Sequence, residues 1–490
     1  MMKNNRIIRL GTVAAFLAIA ISSCKPPEFI EKTVNTNVPV SYATPDTLVP
    51  ADTAATADSM TTAQMNWREY FTDSNLVALI DTALIHNQEL NITLQQIRMF
   101  NNEIRSRSGE YLPFVSVGAG GGVERSPRYS RNGATEANLE IEPGKAFPDP
   151  LPDVGLGLYA DWEIDIWNRL HNAKDAAVKE YLASIEGKNF MVTNLIAEIA
   201  NSYYELLALD NQLAIVKQNI QIQSNALEIV KVQKQAARVT ELAVRKFEAE
   251  LMNTKSLQYD IQQQITVTEN KINFLLGRYP QPIVRNASGF IDLVPDTVYT
   301  GLPSELLANR PDIRRAELEM QAADLNVLVA KASFYPRLSI NAGLGYSAYN
   351  PGLMFTTPAS LLYNIAGELT APLFNKRAIT AAYYNANARQ VQAIYEYEQA
   401  ILNGYMEVSN QMAMIENLEQ SYKLRSQQVD ALNASIQIST DLFKSARADY
   451  MEVLMTQRDA LESKFELLET KKRQMNAMVN IYRALGGGWN

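Results

Sequence analysis

The sequence has little of the chemistry that metal sites, disulfides and active sites need. Its 490 residues include one cysteine and two histidines. A single cysteine excludes a disulfide within the chain and argues against a thiolate–imidazole metal site. His86 and His171 stand alone, without a nucleophile motif, metal-ligand spacing or phosphate-binding loop. We therefore expect no enzyme activity, no catalytic residues and no metal.

Two further absences narrow the class of protein. The net charge of −8 offers no basic excess for nucleic acid, so no nucleic-acid partner is expected. Beyond the N-terminus, no apolar run reaches the roughly 18 residues that a membrane-spanning helix requires. If this protein enters a membrane, it must do so as β-strands.

The N-terminus has the pattern of an export signal. Basic residues Lys3, Arg6 and Arg9 precede an apolar core at residues 10–21. This arrangement is typical of a signal peptide, which we place at residues 1–23 and exclude from the fold.

The only cysteine follows that signal, in the sequence Ile21-Ser22-Ser23-Cys24. The sequence resembles the lipobox of bacterial lipoproteins, which implies cleavage before Cys24 and a covalent lipid on it. Lys25 replaces the aspartate of inner-membrane lipoproteins, which favours sorting to the outer membrane. The alternative is an ordinary signal peptide with an incidental cysteine. Residues 24–65 carry this anchor. We predict that they form an extended lead-in to the folded part of the chain.

The segment Val154 to Trp167 alternates between two kinds of residue. The even positions are apolar (Val154, Leu156, Leu158, Ala160, Trp162, Ile164, Ile166), and most odd ones are glycine or acidic (Gly155, Gly157, Asp161, Glu163, Asp165). A period of two predicts a strand with different surroundings on its two faces. About fourteen residues are enough to cross a bilayer, since about 9–11 suffice for a tilted strand.

Three other segments share this alternation. With the first one they give predicted strands at about 113–126, 153–167, 337–350 and 360–374. Taken singly, each could be a half-buried strand of a soluble sheet.

Long helices account for most of the remaining chain. Two heptad seams step by four and three residues, as in coiled coils. They are Leu209, Leu213, Val216, Ile220, Gln223, Leu227, Val230 and Leu461, Phe465, Leu468, Lys472, Met475, Val479, Tyr482. Glycine and proline are scarce across these regions, which favours continuous helices over short core helices.

The chain also repeats itself with an offset of 209 residues. Ala237-Arg238 recurs as Ala446-Arg447, and Leu276-Gly277 recurs as Leu485-Gly486. We predict two repeats, residues 66–278 and 311–490, each with a helix, two strands and a long helical hairpin. A proline-containing equatorial connector, residues 279–310, joins them.

Both repeats mark their helix–strand junctions with similar residues. Pro113 and Pro336 begin the strands, and Trp167 and Phe374 end them. We predict these four residues to lie at the junctions.

Four strands cannot close a membrane barrel, because the smallest barrels have about eight. An open strand edge in lipid leaves backbone groups unpaired at several kcal/mol each. Several chains must then share one barrel, and three chains of four strands supply twelve.

The sequence resembles the TolC family of outer-membrane efflux channels, in its lipoprotein (NodT/OprM-like) branch. The match runs from about residue 66 to the end. Its motifs are Leu302-Pro303-Ser304-Glu305-Leu306-Leu307, Arg310-Pro311-Asp312-Ile313, Phe334-Tyr335-Pro336, Asp449-Tyr450-Met451-Glu452-Val453-Leu454 and Tyr482-Arg483-Ala484-Leu485-Gly486.

This resemblance implies a mainly α-helical protein with a transmembrane β-barrel. A homotrimer would form a twelve-stranded barrel in outer-membrane lipid, continued by a long periplasmic α-helical barrel. The implied function is the outer-membrane exit duct of a tripartite efflux pump for drugs or metal ions. The implied partners are a periplasmic adaptor and an inner-membrane pump of the resistance-nodulation-division type.

The resemblance also indicates where the duct is gated and docked. Acidic residues after the second-half turn ring the periplasmic mouth in this family. Here Glu452 matches one position, whereas the other is Met455, and Arg447 is a candidate partner for Glu452. The turns themselves should meet the adaptor. Their residues are Ala237, Arg238, Val239, Ala446, Arg447 and Ala448.

Acidic residues are also expected in the lumen. Asp161, Glu163 and Asp165 fall on the polar side of the second strand, and Glu368 on that of the fourth. Tripled in a trimer, these carboxylates would favour cations. Two alternatives to an efflux duct stay open: a type I secretion conduit, and a lipid-anchored periplasmic coiled coil without transport.

Overall fold

The structure is a computed structural model, and it describes residue 27 and residues 32–42, 62–294, 300–445 and 447–489. The signal peptide and Cys24 lie outside these residues, as does Ala446. Within the described residues the chain folds as two compact units. One contains Arg98–Leu182 and Leu318–Tyr395, and the other contains Ala183–Glu317 and Glu396–Asn490 with residues from Val34 to Ile97.

Ten α-helices follow one another in the described residues. Their bounds are α1 Trp67–Tyr70, α2 Ser74–His86, α3 Gln88–Glu110, α4 Arg131–Asn138, α5 Arg169–Gln235, α6 Glu241–Leu275, α7 Leu306–Asn309, α8 Pro311–Ala332, α9 Arg377–Lys444 and α10 Tyr450–Ala484. The sequence expectation of long continuous helices is confirmed, since α5 has 67 residues and α9 has 68. None of the helices in the described segments is both long and apolar enough to cross a membrane.

The described part of the chain also contains six strands: β1 Phe114–Glu124, β2 Glu140–Glu142, β3 Lys145–Ala146, β4 Leu151–Ile164, β5 Arg337–Ala348 and β6 Leu361–Thr370. Four form one antiparallel sheet in the order β1-β4-β5-β6, and β2 pairs with β3 in a small hairpin. The sequence did not predict α4, β2 or β3. These short elements interrupt the chain between β1 and β4, where polar residues show no periodicity.

The two repeats have equivalent backbone features. Gly277 and Gly486 adopt positive φ angles of 67° and 90° immediately after α6 and α10 have ended. Asn168 and Asn375 do so at 55° and 52°, at the two strand-to-helix junctions. A left-handed residue is the usual way to end a helix or turn the chain sharply. The same turn is thus built twice.

The heptad seams are buried in the second unit. Leu209, Val216 and Ile261 form one apolar cluster with Leu213 and Phe465. Gln223, the polar position of the first seam, is only 1% exposed. The connector is part of the same unit, where its Arg285 pairs with Asp210 and Glu269 at 2.5 Å.

Candidate functional site

The sheet has one entirely apolar face. Val117, Leu158, Leu344 and Tyr363 lie in one row across its four strands. They are exposed by 71, 53, 56 and 75%. Other members of this face are Val115, Leu156, Ala160, Trp162, Ile164, Leu338, Ile340, Ala342, Ile365 and Leu369. A contiguous apolar surface of this kind marks contact with another protein or with lipid.

The sheet also has two open edges. Among the described strands, β1 and β6 each have a neighbour on one side only. Their outer N–H and C=O groups are therefore available for pairing with further strands. An apolar face and two open edges together indicate that this sheet is part of a larger one.

The opposite face of the sheet is polar. Glu163, Ser339 and Glu368 lie in one row across β4, β5 and β6, and Asp161 lies opposite Asn341. The structure thus brings three of the four predicted acidic residues onto one face. Glu163 is not a free charge, because Arg169 binds its carboxylate at 2.8 Å.

Asp165, the fourth predicted acidic residue, lies beyond the strand. The prediction that the strand continues to Trp167 was wrong, because β4 ends at Ile164. The Asp165 carboxylate instead accepts the backbone N–H of His171 in the first turn of α5, and lies 2.7 Å from His171 Nδ1. Burial opposes the charge, but these hydrogen bonds lower the pKa of Asp165 below its ordinary value. Asp165 therefore stabilises the start of α5 as an anion.

Tryptophans hold both helix–strand junctions. The indole N–H of Trp162 donates to the carbonyl of Tyr111, at 2.9 Å, two residues before Pro113. That of Trp167 donates to the carbonyl of Pro336, at 2.8 Å. The ring of Trp167 stacks on Tyr335. Phe374, by contrast, is 91% exposed.

The two helical turns share an equivalent backbone hydrogen bond. At the first, the N–H of Arg238 donates to the carbonyl of Gln233, and that of Ala237 donates to Lys234. At the second, the N–H of Arg447 donates to the carbonyl of Leu442. At the first turn these bonds close the C-terminus of α5 through a left-handed residue, Ala237, whose φ is 57°.

The ends of both helical hairpins pack together. Val239, Phe443 and Tyr450 surround an apolar cluster that includes Phe247 and Leu454. Arg238 and Arg447 are exposed, and Ala448 is half-buried. The described residues of the predicted docking set therefore lie next to one packed apolar cluster of this unit.

The residues predicted to form the gate lie just after the second turn. Glu452 is in the first turn of α10, and Met455, 48% exposed, follows one turn later. In the residues that the structure describes, no ion pair joins Arg447 to Glu452. The candidate pairing of Arg447 with Glu452 therefore stays a prediction for contacts between copies.

Sequence reasoning missed a buried arginine. Arg310, 3% exposed, binds Asp312 at 2.6 Å, Glu407 at 2.9 Å and the carbonyl of Ala484 at 2.7 Å. Burial alone would lower the pKa of Arg310, yet the two carboxylates raise it. The motif Arg310-Pro311-Asp312 could have indicated a structural cation. The other two partners of Arg310, Glu407 and Ala484, lie far away in sequence.

No cluster of three or more His, Cys, Asp or Glu side chains suited to a metal ion occurs in the described part of the chain. The polar sheet face, the open edges and the packed turns are thus the features to which a function must be assigned.

Comparison with known proteins identifies relatives of the whole chain. The sequence model described as "Outer membrane efflux protein" matches residues 79–278 and 302–487. The pyoverdine export outer membrane protein OpmQ of Pseudomonas putida is 26% identical, over 96% of each chain. The probable outer membrane lipoprotein SilC of Salmonella typhimurium is 25% identical, over 91% of this chain and 94% of its own.

The fold matches solved structures as well. The open state of the MtrE outer membrane channel of Neisseria gonorrhoeae superposes with a TM-score of 0.80 at 22% identity. The match covers 95% of this chain and 98% of MtrE.

Proposed function

The chain belongs to the outer membrane efflux protein family, and on this premise we propose that it is the outer-membrane exit duct of a tripartite efflux pump. It passes small solutes outward and performs no chemistry on them. The observation that carries this proposal is the apolar row of Val117, Leu158, Leu344 and Tyr363, which faces outward on a sheet with two open edges.

Three copies complete the sheet. Edge strand β1 of one copy pairs with edge strand β6 of the next, so that no backbone group remains unpaired in lipid. Barrels of about eight strands are filled by their own side chains, and the barrel widens as strands are added. A twelve-stranded barrel therefore has room for a lumen. The apolar face contacts lipid and the polar face lines the lumen.

The long helices continue the duct into the periplasm. We assign the packed turns, with Arg238 and Arg447 exposed, to the docking of a periplasmic adaptor that joins an inner-membrane pump. Charge reversal at both arginines should weaken efflux without loss of the trimer. Full efflux by this double variant would remove these residues from the docking surface.

Glu452 and Met455 are assigned to the periplasmic mouth. Three Glu452 carboxylates in a narrow ring repel one another, so contacts elsewhere must hold the ring closed. We assign this role to Arg447 of a neighbouring copy, because the Arg447 side chain is exposed close to Glu452 in sequence. Unchanged conductance and cation selectivity in Glu452→Ala would exclude Glu452 from the gate.

Asp161 and Glu368 are assigned to the lumen, where their charge favours cations. Glu163 is assigned to the lumen as well, but Arg169 offsets its charge. Asp165 is omitted, because its carboxylate is engaged at the start of α5. A reversal potential that indicates anion preference would contradict this assignment.

The anchor is a lipid on Cys24, a proposal supported by the Ser22-Ser23-Cys24 sequence and by the lipoprotein SilC among the relatives. Mass spectrometry of the membrane-extracted protein should find an acylated N-terminal Cys24. An unmodified cysteine would disprove the anchor without affecting the duct.

The experiment for the duct is conductance. The full-length protein, purified from outer membranes and added to planar bilayers, should give stepwise KCl currents. A protein that reaches the membrane but never conducts would instead be a lipid-anchored scaffold.

A further inference from the structure

The ring of Tyr159 lies flat against the polar face of the sheet. A Cβ added to Gly118 on β1 would be 3.0 Å from Cε2 of this ring. One added to Gly157 on β4 would be 3.3 Å from its Oη, and one added to Gly343 on β5 would be 3.4 Å from its Cδ1. Glycines on three adjacent strands thus lie beside three different parts of the ring. The ring packs against backbone atoms that no glycine side chain covers.

This arrangement is costly for a sheet. Glycine inside a strand weakens it, and often marks a place where another group approaches the backbone closely. The register places Tyr159 between Ser116 and Gly343, with Gly118 beside Gly157 in the next row on the same face. The three glycines leave room for the tyrosine ring to pack against the backbone. The outer face of the ring stays accessible, since Tyr159 is 44% exposed.

Two oxygen-bearing side chains belong to the same region of this face. Asp161 follows on the same face, about 7 Å along the strand, and takes part in no ion pair within the described residues. The side-chain oxygen of Asn364 lies over Gly343, on the other flank. Two basic groups belong to this face: Arg169, which is bound to Glu163, and Arg337, which is level with Thr370.

We propose that Tyr159, Asp161 and Asn364 form a binding station for organic monocations, such as quaternary or protonated amines. An aromatic face attracts a weakly hydrated cation, and a nearby carboxylate adds to this attraction. The station rests on the proposed function, because this face lines a lumen only in the assembled trimer. The three-fold axis places three stations at one level, where a passing cation is retained briefly.

The experiment measures how tetrabutylammonium reduces the KCl current of the full-length channel in planar bilayers. The readout is the concentration that gives half of the maximal decrease. Tyr159→Phe keeps the aromatic face and should stay within about twofold of the parent. Tyr159→Leu still covers the glycines but has no aromatic face. It should raise this concentration about fivefold, which equals about 1 kcal/mol at 1.4 kcal/mol per tenfold.

Tyr363→Leu is the matched control, because Tyr363 is a tyrosine on the apolar face. It should leave the concentration unchanged. If Tyr159→Leu does not assemble, Asp161→Asn takes its place, with an expected increase of about threefold. Equal concentrations in parent and variant, at equal KCl conductance, would overturn the station alone. A parent channel that conducts KCl but does not respond to tetrabutylammonium would do the same. Absence of any KCl current would overturn the duct and the station together.

Discussion

Leu158 on β4 lies directly opposite Leu344 on β5, and more than half of each side chain is exposed. Directly opposite apolar side chains on a sheet normally belong to a core. Here nothing within the described residues covers them. Lipid is the solvent that makes this pair stable.

The first prediction concerns the two faces of β5. Leu344→Arg should block membrane assembly, because an arginine on the lipid side costs about 2–4 kcal/mol per chain near the bilayer centre. Asn341→Arg, three residues earlier on the polar face, should assemble normally. Heat-sensitive oligomer bands from outer-membrane fractions measure both. Equal assembly of the two variants would contradict the assignment of faces.

The second prediction concerns the buried cation. Arg310→Met leaves the carboxylates of Asp312 and Glu407 in place without their partner, and should cost about 3–5 kcal/mol of stability. Thermal denaturation of the purified protein measures this loss. The Arg310 side chain is also closely packed, because a Cβ added to Gly404 would be 3.2 Å from Arg310 Cδ.

Lys423→Met supplies the control for Arg310→Met. Lys423 lies on the same helix as Glu407 and pairs with Glu419 at 2.7 Å, but both side chains are more than half exposed. Its loss should cost about 0.5 kcal/mol or less. Similar losses in the two variants would mean that Arg310 has no special structural role.

The third prediction concerns the first helical turn. Ala237 has a left-handed backbone, which costs an alanine about 1–2 kcal/mol. Ala237→Gly should therefore increase the amide exchange protection of residues 233–240. Ala236→Gly, where φ is not positive, should decrease it, because glycine loses more entropy on folding. A decrease in both variants would show that Ala237 is not strained.

The fourth prediction concerns pH. Hydrogen bonds hold the pKa of Asp165 below its ordinary value of 3.8, so folding is stabilised by the ionised form. This contribution is fully present above the unfolded pKa, and is lost as the pH falls through the folded one. The stability difference between the parent and Asp165→Asn should be constant at neutral pH and shrink below about pH 4. A difference that grows on acidification would reverse the sign of the linkage.

The sequence predicts local patterns well and distant contacts poorly. The alternation from Val154 to Ile164 predicted both the strand and its two faces, because side chains on a strand must alternate. The end of β4 was misplaced, because Ile166 and Trp167 continue the alternation while Asp165 already serves α5. Arg310 was missed because its partners Glu407 and Ala484 lie 97 and 174 residues away.

The most direct measurement is the number of copies in the detergent-solubilised particle, obtained by native mass spectrometry of protein extracted from outer membranes. The account predicts three copies, which lose their association on heating as the shared sheet comes apart. A monomer that retains its folded sheet in detergent would contradict it, because one chain leaves the edges of β1 and β6 open.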